Sequence, residues 1–216
     1  MRQLLALSLL LSLTVAVRAD EPKADADGYF ALFDGKSLDG WKAAENPTVA
    51  KVENGELIVG GGPRGHLFYN GPVKNHDFKN FEFKGQVKIT PNSNSGIYFH
   101  TEFQEKDWPA RGFEAQVCSN DYKDPKKTGS LYGVMNVDKS DVKDGDWFDY
   151  YIKVEGNHVT IKINDKVTAD FKQEAGKLPK PDQAGRVLSH GTFALQGHDP
   201  KSVVHYKNLR VKPLAD

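Results

Sequence analysis

The sequence predicts an all-β fold, an antiparallel β-sandwich closed as a jelly roll. Three observations carry this: segments in which apolar and polar residues alternate, compact turn words between them, and no stretch with a helical period and caps. Alternation is clearest in NFEFKGQVKIT (80–90), where Phe81, Phe83, Val87 and Ile89 take one face and Glu82, Lys84, Gln86 and Lys88 the other. Side chains on a strand point alternately to opposite sides, so this pattern describes a strand buried on one face. Similar patterns recur in GIYFHT (96–101), GFEAQV (112–117), FDYYIKVEG (148–156), HVTIKIN (158–164), TFALQGH (192–198) and VVHYKNLRV (203–211). Glu155-Gly156-Asn157 and Asn164-Asp165 are short enough for hairpin turns. Residues 91–94 and 121–128 read as longer loops, and the Lys-, Pro- and Gln-rich stretch 172–184 as a surface connection.

The ends and the composition narrow the classes. Met1-Arg2 is a positive start, residues 4–17 are almost wholly apolar, and Val17-Arg18-Ala19 places small residues at the −3 and −1 positions of a cleavage site. Residues 1–19 are therefore read as a secretory signal peptide, 20–27 as a polar leader and 28–214 as one domain. The mature protein is expected to be exported, to the periplasm or beyond, and free of the membrane once the signal is cleaved. Basic and acidic residues balance at 29 each, which offers nucleic acid no electrostatic grip and suits a neutral partner such as a saccharide. Cys118 is the sole cysteine, so no internal disulfide forms, and its place at a strand end reads as a buried thiol. Seven histidines are present without an HExxH word, paired cysteines or a calcium-loop word. The acid-rich DVKDGD (141–146) reads as a solvated turn. No cofactor is expected, a divalent metal assembled from distant strands is left open, and no oligomeric state is assigned.

Six words in order carry a family resemblance: LFDGKSLDGW (32–41), NSGIYFH (94–100), GFEAQV, TGSLYG (128–133), GDWFDYYIKVEGNHVTIKIND (145–165) and GTFALQGHDPKSVVHYKNLRVKPL (191–214). Together they resemble the 3-keto-disaccharide hydrolase family across nearly the whole mature chain. The resemblance implies a concanavalin A-like jelly roll that binds sugar on its concave sheet and acts on glycosides already oxidised to a ketone at C3. The chain departs from the family pattern at His100, where Arg is usual, and at Asn164-Asp165, where Asn-Gly is usual.

Under this reading Glu114 and Gln116, which must share a strand face, point to the concave side, with Glu114 as catalytic base. By the residues alone that face reads as an ordinary wet one, for which charged residues are the rule. Gln196 and His198 share a side in LQGH, and His198 joins Glu114 as second catalytic group. Asn94 and Ser95 sit where a loop meets a strand and offer amide and hydroxyl groups to sugar hydroxyls. Tyr98 and His100 share the next strand's polar face, and Gly96 permits close approach of the backbone. Tyr132 offers a hydroxyl or a ring face, or packs as a half-buried structural tyrosine. Trp108, in the polar loop EKDWPARG, stacks at the cleft rim, with His66 a further rim residue, whereas Trp41 and Trp147 are read as core. The rival reading is a non-catalytic carbohydrate-binding module on the same sandwich.

Overall fold

The computed structural model describes residues 22–176 and 183–216; the signal-peptide residues 1–19 and part of the 172–184 connection lie outside them. One sheet contains β1 (Phe30–Ala31), β3 (Ala50–Glu53), β4 (Glu56–Gly60), β6 (Phe81–Ile89), β9 (Trp147–Glu155), β10 (His158–Ile163), β11 (Lys166–Lys172) and β13 (Val203–Pro213). Its order is β11-β10-β9-β6-β13-β4-β3, with β1 also on β13. The other sheet contains β2 (Trp41–Ala44), β5 (Gly65–Tyr69), β7 (Asn94–Thr101), β8 (Phe113–Cys118) and β12 (Thr192–Gly197), in the order β2-β5-β12-β7-β8. The strands pair antiparallel throughout, and a short 3₁₀ turn lies at Val73–His76. The all-β sandwich expected from the sequence is the fold. Short strands β2 to β5 escaped the sequence reading because four or five residues are too few to display a period.

The sheets bury their facing sides against each other. Phe193 of β12 packs within about 5 Å of three rings: Phe78 at 5.0 Å, Phe81 at 4.9 Å and Phe83 at 5.0 Å. Trp41 belongs to this core and donates its indole N–H to the Leu32 carbonyl at 2.7 Å. Trp147 does not: it is half-buried on the outer face of the larger sheet, with the ammonium groups of Lys207 and Lys88 over its ring at 4.0 and 4.7 Å. The alternation that sends Phe148 inward sends Trp147 out. Asn164 and Asp165 both adopt positive φ, 48° and 64°, so they form the tight turn between β10 and β11 without the glycine usual there.

The two sheets differ in what covers their outer faces. On β6 and β9 the outward residues are partly exposed, but β7, β8 and β12 are buried at every position. The polar face of GFEAQV therefore meets protein and a hollow, not bulk water. At its end, Cys118 is enclosed and burial pushes its thiol up to about 12. The native protein is accordingly expected to leave Cys118 unmodified by a disulfide reagent near pH ~8, and to release one equivalent only in denaturant. A full equivalent without denaturant would contradict the packing at the end of β8.

Candidate active site

Glu114 and Gln116 of β8 project from the side of the smaller sheet that faces away from the core into which Phe113, Ala115 and Val117 point. Beside them stand Asn94, Gly96 and Tyr98 of β7, and beyond those Gln196 of β12. Glu114 is only 5% exposed, and each of its oxygens has a donor. The Tyr98 hydroxyl donates to Oε2 at 2.9 Å, and Gln196 Nε2 donates to Oε1 at 2.8 Å and to the Tyr98 hydroxyl at 3.0 Å. The three side chains form a closed hydrogen-bonded triangle, which fixes the carboxyl group. Burial dominates its titration and pushes Glu114 up to about 7, against the opposing pull of Arg186 and of the Tyr98 and Gln196 hydrogen bonds.

Loops wall the hollow. Arg186, from the segment before β12, brings Nη2 to 3.9 Å from Glu114 Oε2. Tyr132 donates to Asp124 Oδ2 at 3.0 Å, and both residues line the cavity. His198 lies just past β12, with Nδ1 2.9 Å from Asp199 Oδ2 and 3.2 Å from the Tyr122 hydroxyl. Burial alone would raise the Asp199 carboxyl, but hydrogen bonds from Ser202, His198, the Lys201 amide and Tyr122 outweigh it and hold the group well below the usual range. Asp199 thus stays a carboxylate and accepts the Nδ1 proton of His198, which fixes the ring at the edge of the hollow. Trp108, 41% exposed, closes the rim with its ring 5.5 Å from that of His198. The cavity measures about 310 Å³, the lower end of the range for small-molecule sites.

Eight of the ten residues singled out from sequence line this one hollow: Asn94, Tyr98, Trp108, Glu114, Gln116, Tyr132, Gln196 and His198. Two do not, and both correct the sequence reading. Ser95 points between the sheets, donating to the Gln196 carbonyl at 2.6 Å and lying 3.0 Å from the Tyr206 hydroxyl of the opposite sheet. Adjacent strand residues face opposite ways, so Asn94 and Ser95 cannot both reach a sugar. His100 has φ 55°, which breaks the alternation Tyr98 follows, and a register shift on β12 lies opposite. Its ring turns away from the hollow to Lys79, whose carbonyl is 2.8 Å from Nε2, while Nδ1 accepts the Ser189 amide at 3.1 Å. Burial lowers His100 to about 4, so it is neutral there. His66, read as a rim residue, is fully enclosed. Arg186 and Asp124 were missed, because a lone Arg in AGRV and an Asp in a Lys-rich loop carry no periodic or motif signal. Among the described residues no group of three or more His, Cys, Asp or Glu side chains is placed to hold a metal ion.

The sequence matches the family model of the 3-keto-alpha-glucoside-1,2-lyase-like domain over residues 28–212. The chain belongs to that family. A protein of Bacteroides thetaiotaomicron named 3-keto-disaccharide hydrolase is 27% identical over 238 residues, covering 88% of this chain and 80% of the relative. A solved Parabacteroides distasonis protein, provisionally described as a glycosyl hydrolase, superposes with TM-score 0.73 at 25% identity, over 88% of this chain and 95% of that one. The carbohydrate-binding module CBM66 of Bacillus subtilis shares the fold at TM-score 0.53 and 12% identity, over 80% of this chain and 95% of the module.

Proposed function

We propose that the protein is an exported hydrolase of 3-keto-glycosides, with Glu114 as the proton-transferring base. The observation that carries this is a single enclosed carboxyl group, pushed up to about 7 and clamped between Tyr98 and Gln196. A group poised near neutrality both takes and returns a proton, the requirement for chemistry next to a ketone. The C3 ketone acidifies the C2 hydrogen. Glu114 removes it as a proton, and the electron pair passes into the C3 oxygen as an enolate. The enolate then re-forms the C3 carbonyl, a C1–C2 double bond forms, and the C1–O bond breaks with its electrons going to the leaving oxygen. Protonated His198 donates a proton to that oxygen, and the Arg186 guanidinium faces the enolate charge. Water then adds its oxygen at C1 and gives one proton back to His198, C2 regains its proton from Glu114, and the products are a 3-keto sugar and the free aglycone. Export rests on the positive start, the apolar run and the small-residue site of residues 1–19.

The pH dependence follows from the base role. Only ionised Glu114 can take the proton, so kcat/KM is expected to rise about tenfold per pH unit below about 7 and to level off above it. A profile flat from pH ~5 to ~8 would remove Glu114 from that role.

Asp124 in the cavity wall favours one competing reading, a conventional glycosidase with two carboxyl groups about the anomeric carbon. Matched native and 3-keto disaccharides, assayed for binding and for sugar release, separate the possibilities. Release from the 3-keto substrate alone supports the proposal, release from the native sugar supports the two-carboxylate mechanism, and binding without release supports a binding module.

A further inference from the structure

Among the described residues, five buried side-chain atoms have no hydrogen-bond partner, and three of them are His66 Nε2, Gln196 Oε1 and Gln116 Oε1. These three lie in one row across the smaller sheet. Gln196 pairs with His66 between β12 and β5, Gly96 pairs with Gln116 between β7 and β8, and Leu195 opposite Ile97 sets Gly96 beside Gln196. Neighbouring strands are about 4.8 Å apart, so the row spans roughly 14 Å from β5 to β8, longer than one pyranose ring.

All three orphans are acceptors. Gln116 spends its amide N–H groups on Asn94 Oδ1 at 3.1 Å and the Lys126 carbonyl at 3.3 Å, and Gln196 spends its own on Glu114 and Tyr98. Both amide oxygens are left over. His66 Nδ1 lies 2.6 Å from Glu45 Oε2, so Nδ1 carries the proton and Nε2 has only a lone pair. Burial lowers the His66 pKa against the pull of Glu45, which keeps the ring neutral. An enclosed acceptor without a donor is destabilising, and a ligand O–H that reaches it relieves that cost. A row of acceptors selects hydroxyl donors; a ketone, carboxylate or phosphate cannot satisfy it.

Glu114 stands at the β8 end of the sheet and His66 three strands away. Nδ1 of His66 faces Glu45, at the β2 edge, and Nε2 is the ring nitrogen left without a partner. The Trp108 ring lies 5.4 Å from the His66 ring and nearly perpendicular to it; Trp108 belongs to the loop between β7 and β8 and is partly exposed. We propose that His66, backed by Glu45, is the hydroxyl-binding floor of a second sugar subsite beneath Trp108, so that the protein selects keto-glycosides whose leaving group is itself a hydroxylated ring. This rests on the function proposed above. The second ring enters as the indole swings off His66, and the indole then supplies its apolar face.

The test compares a 3-keto disaccharide with a 3-keto glucoside carrying a phenyl leaving group, on wild type, His66→Leu and His66→Gln. His66→Leu is expected to lower the ratio of the two kcat/KM values about 10-fold or more, and His66→Gln, which restores a carbonyl acceptor, to recover part of it. An unchanged ratio in both variants overturns the subsite; if His66→Leu does not fold, the Gln variant is judged by its ratio alone, intermediate or unchanged. Calorimetric titration with the unoxidised disaccharide reads the subsite without turnover. If wild type cleaves neither substrate the hydrolase reading fails, yet weaker disaccharide binding in His66→Leu, with monosaccharide binding unaltered, still supports the subsite. Equal binding by wild type and variant, or no saccharide binding at all, overturns it.

Discussion

Glu114→Gln is expected to lower kcat/KM on a 3-keto-glycoside by about 10²–10⁴, the usual worth of a positioned proton-transfer group. The substitution keeps the shape of the side chain and removes only its ability to take a proton. The Tyr98 hydroxyl can still donate to the new amide oxygen. Gln196 can turn its unpartnered Oε1 toward the new N–H groups, so both hydrogen bonds to this side chain survive and only the Gln196–Tyr98 bond is given up. The same variant has a second expected result, in stability. The folded-state pKa of Glu114 lies above its ordinary value of 4.5, at about 7, so the fold holds this proton more tightly than the unfolded chain does. Stability from that preference is fully present below about pH 4.5 and is lost as pH rises through about 7. The shift corresponds to roughly 3 kcal/mol. Glutamine does not titrate, so Glu114→Gln should gain by about that amount relative to wild type between pH ~5 and ~8, read from denaturant midpoints. Near-wild-type turnover would sink the base assignment. A stability difference independent of pH would show that the carboxyl group is not held as described.

Gly96→Ala is expected to cost about 10²-fold in kcat/KM while leaving the protein folded. A methyl group built on Gly96 would lie 2.4 Å from Glu114 Oε1 and 2.7 Å from its Cγ, where ordinary contact needs at least about 3.4 Å. The carboxyl group must therefore move by about 1 Å, and a displacement of that size at the reacting group is enough to cost two orders of magnitude. The three atoms nearest the added methyl all belong to the Glu114 side chain, which can move where backbone cannot. Overpacking of this kind costs ~1–3 kcal/mol, which shifts the denaturation midpoint without abolishing folding. Loss of activity with a pH midpoint moved away from about 7 would locate the damage at Glu114. Unchanged activity would mean that Gly96 does not set the position of the carboxyl group.

Both expectations concern residues that stand out in the sequence, yet for different reasons. The side of each strand is a local property, because successive residues point opposite ways. Hence Phe113, Ala115 and Val117 could be separated from Glu114 and Gln116, and Gln196 from Leu195, before any coordinates. The same rule shows that Ser95 faces away from Asn94. Local alternation fails at His100, where a left-handed backbone inserted opposite a register shift turns the ring into the structure behind the sheet. Nothing in GIYFH signals that irregularity, since positive φ outside glycine is set by the packing around it.

By itself, then, the order of residues determined an antiparallel sandwich and which side chains share a strand face, and its six family words indicated a sugar-directed surface. Only the tertiary structure decided which polar face is roofed by loops, that Arg186 and Asp124 arrive from segments without pattern, and that His66 is enclosed with a free acceptor. The reason is physical. Periodicity is written by the backbone over two residues, whereas the enclosure that pushes Glu114 up to about 7 is the sum of contacts between segments far apart in the chain.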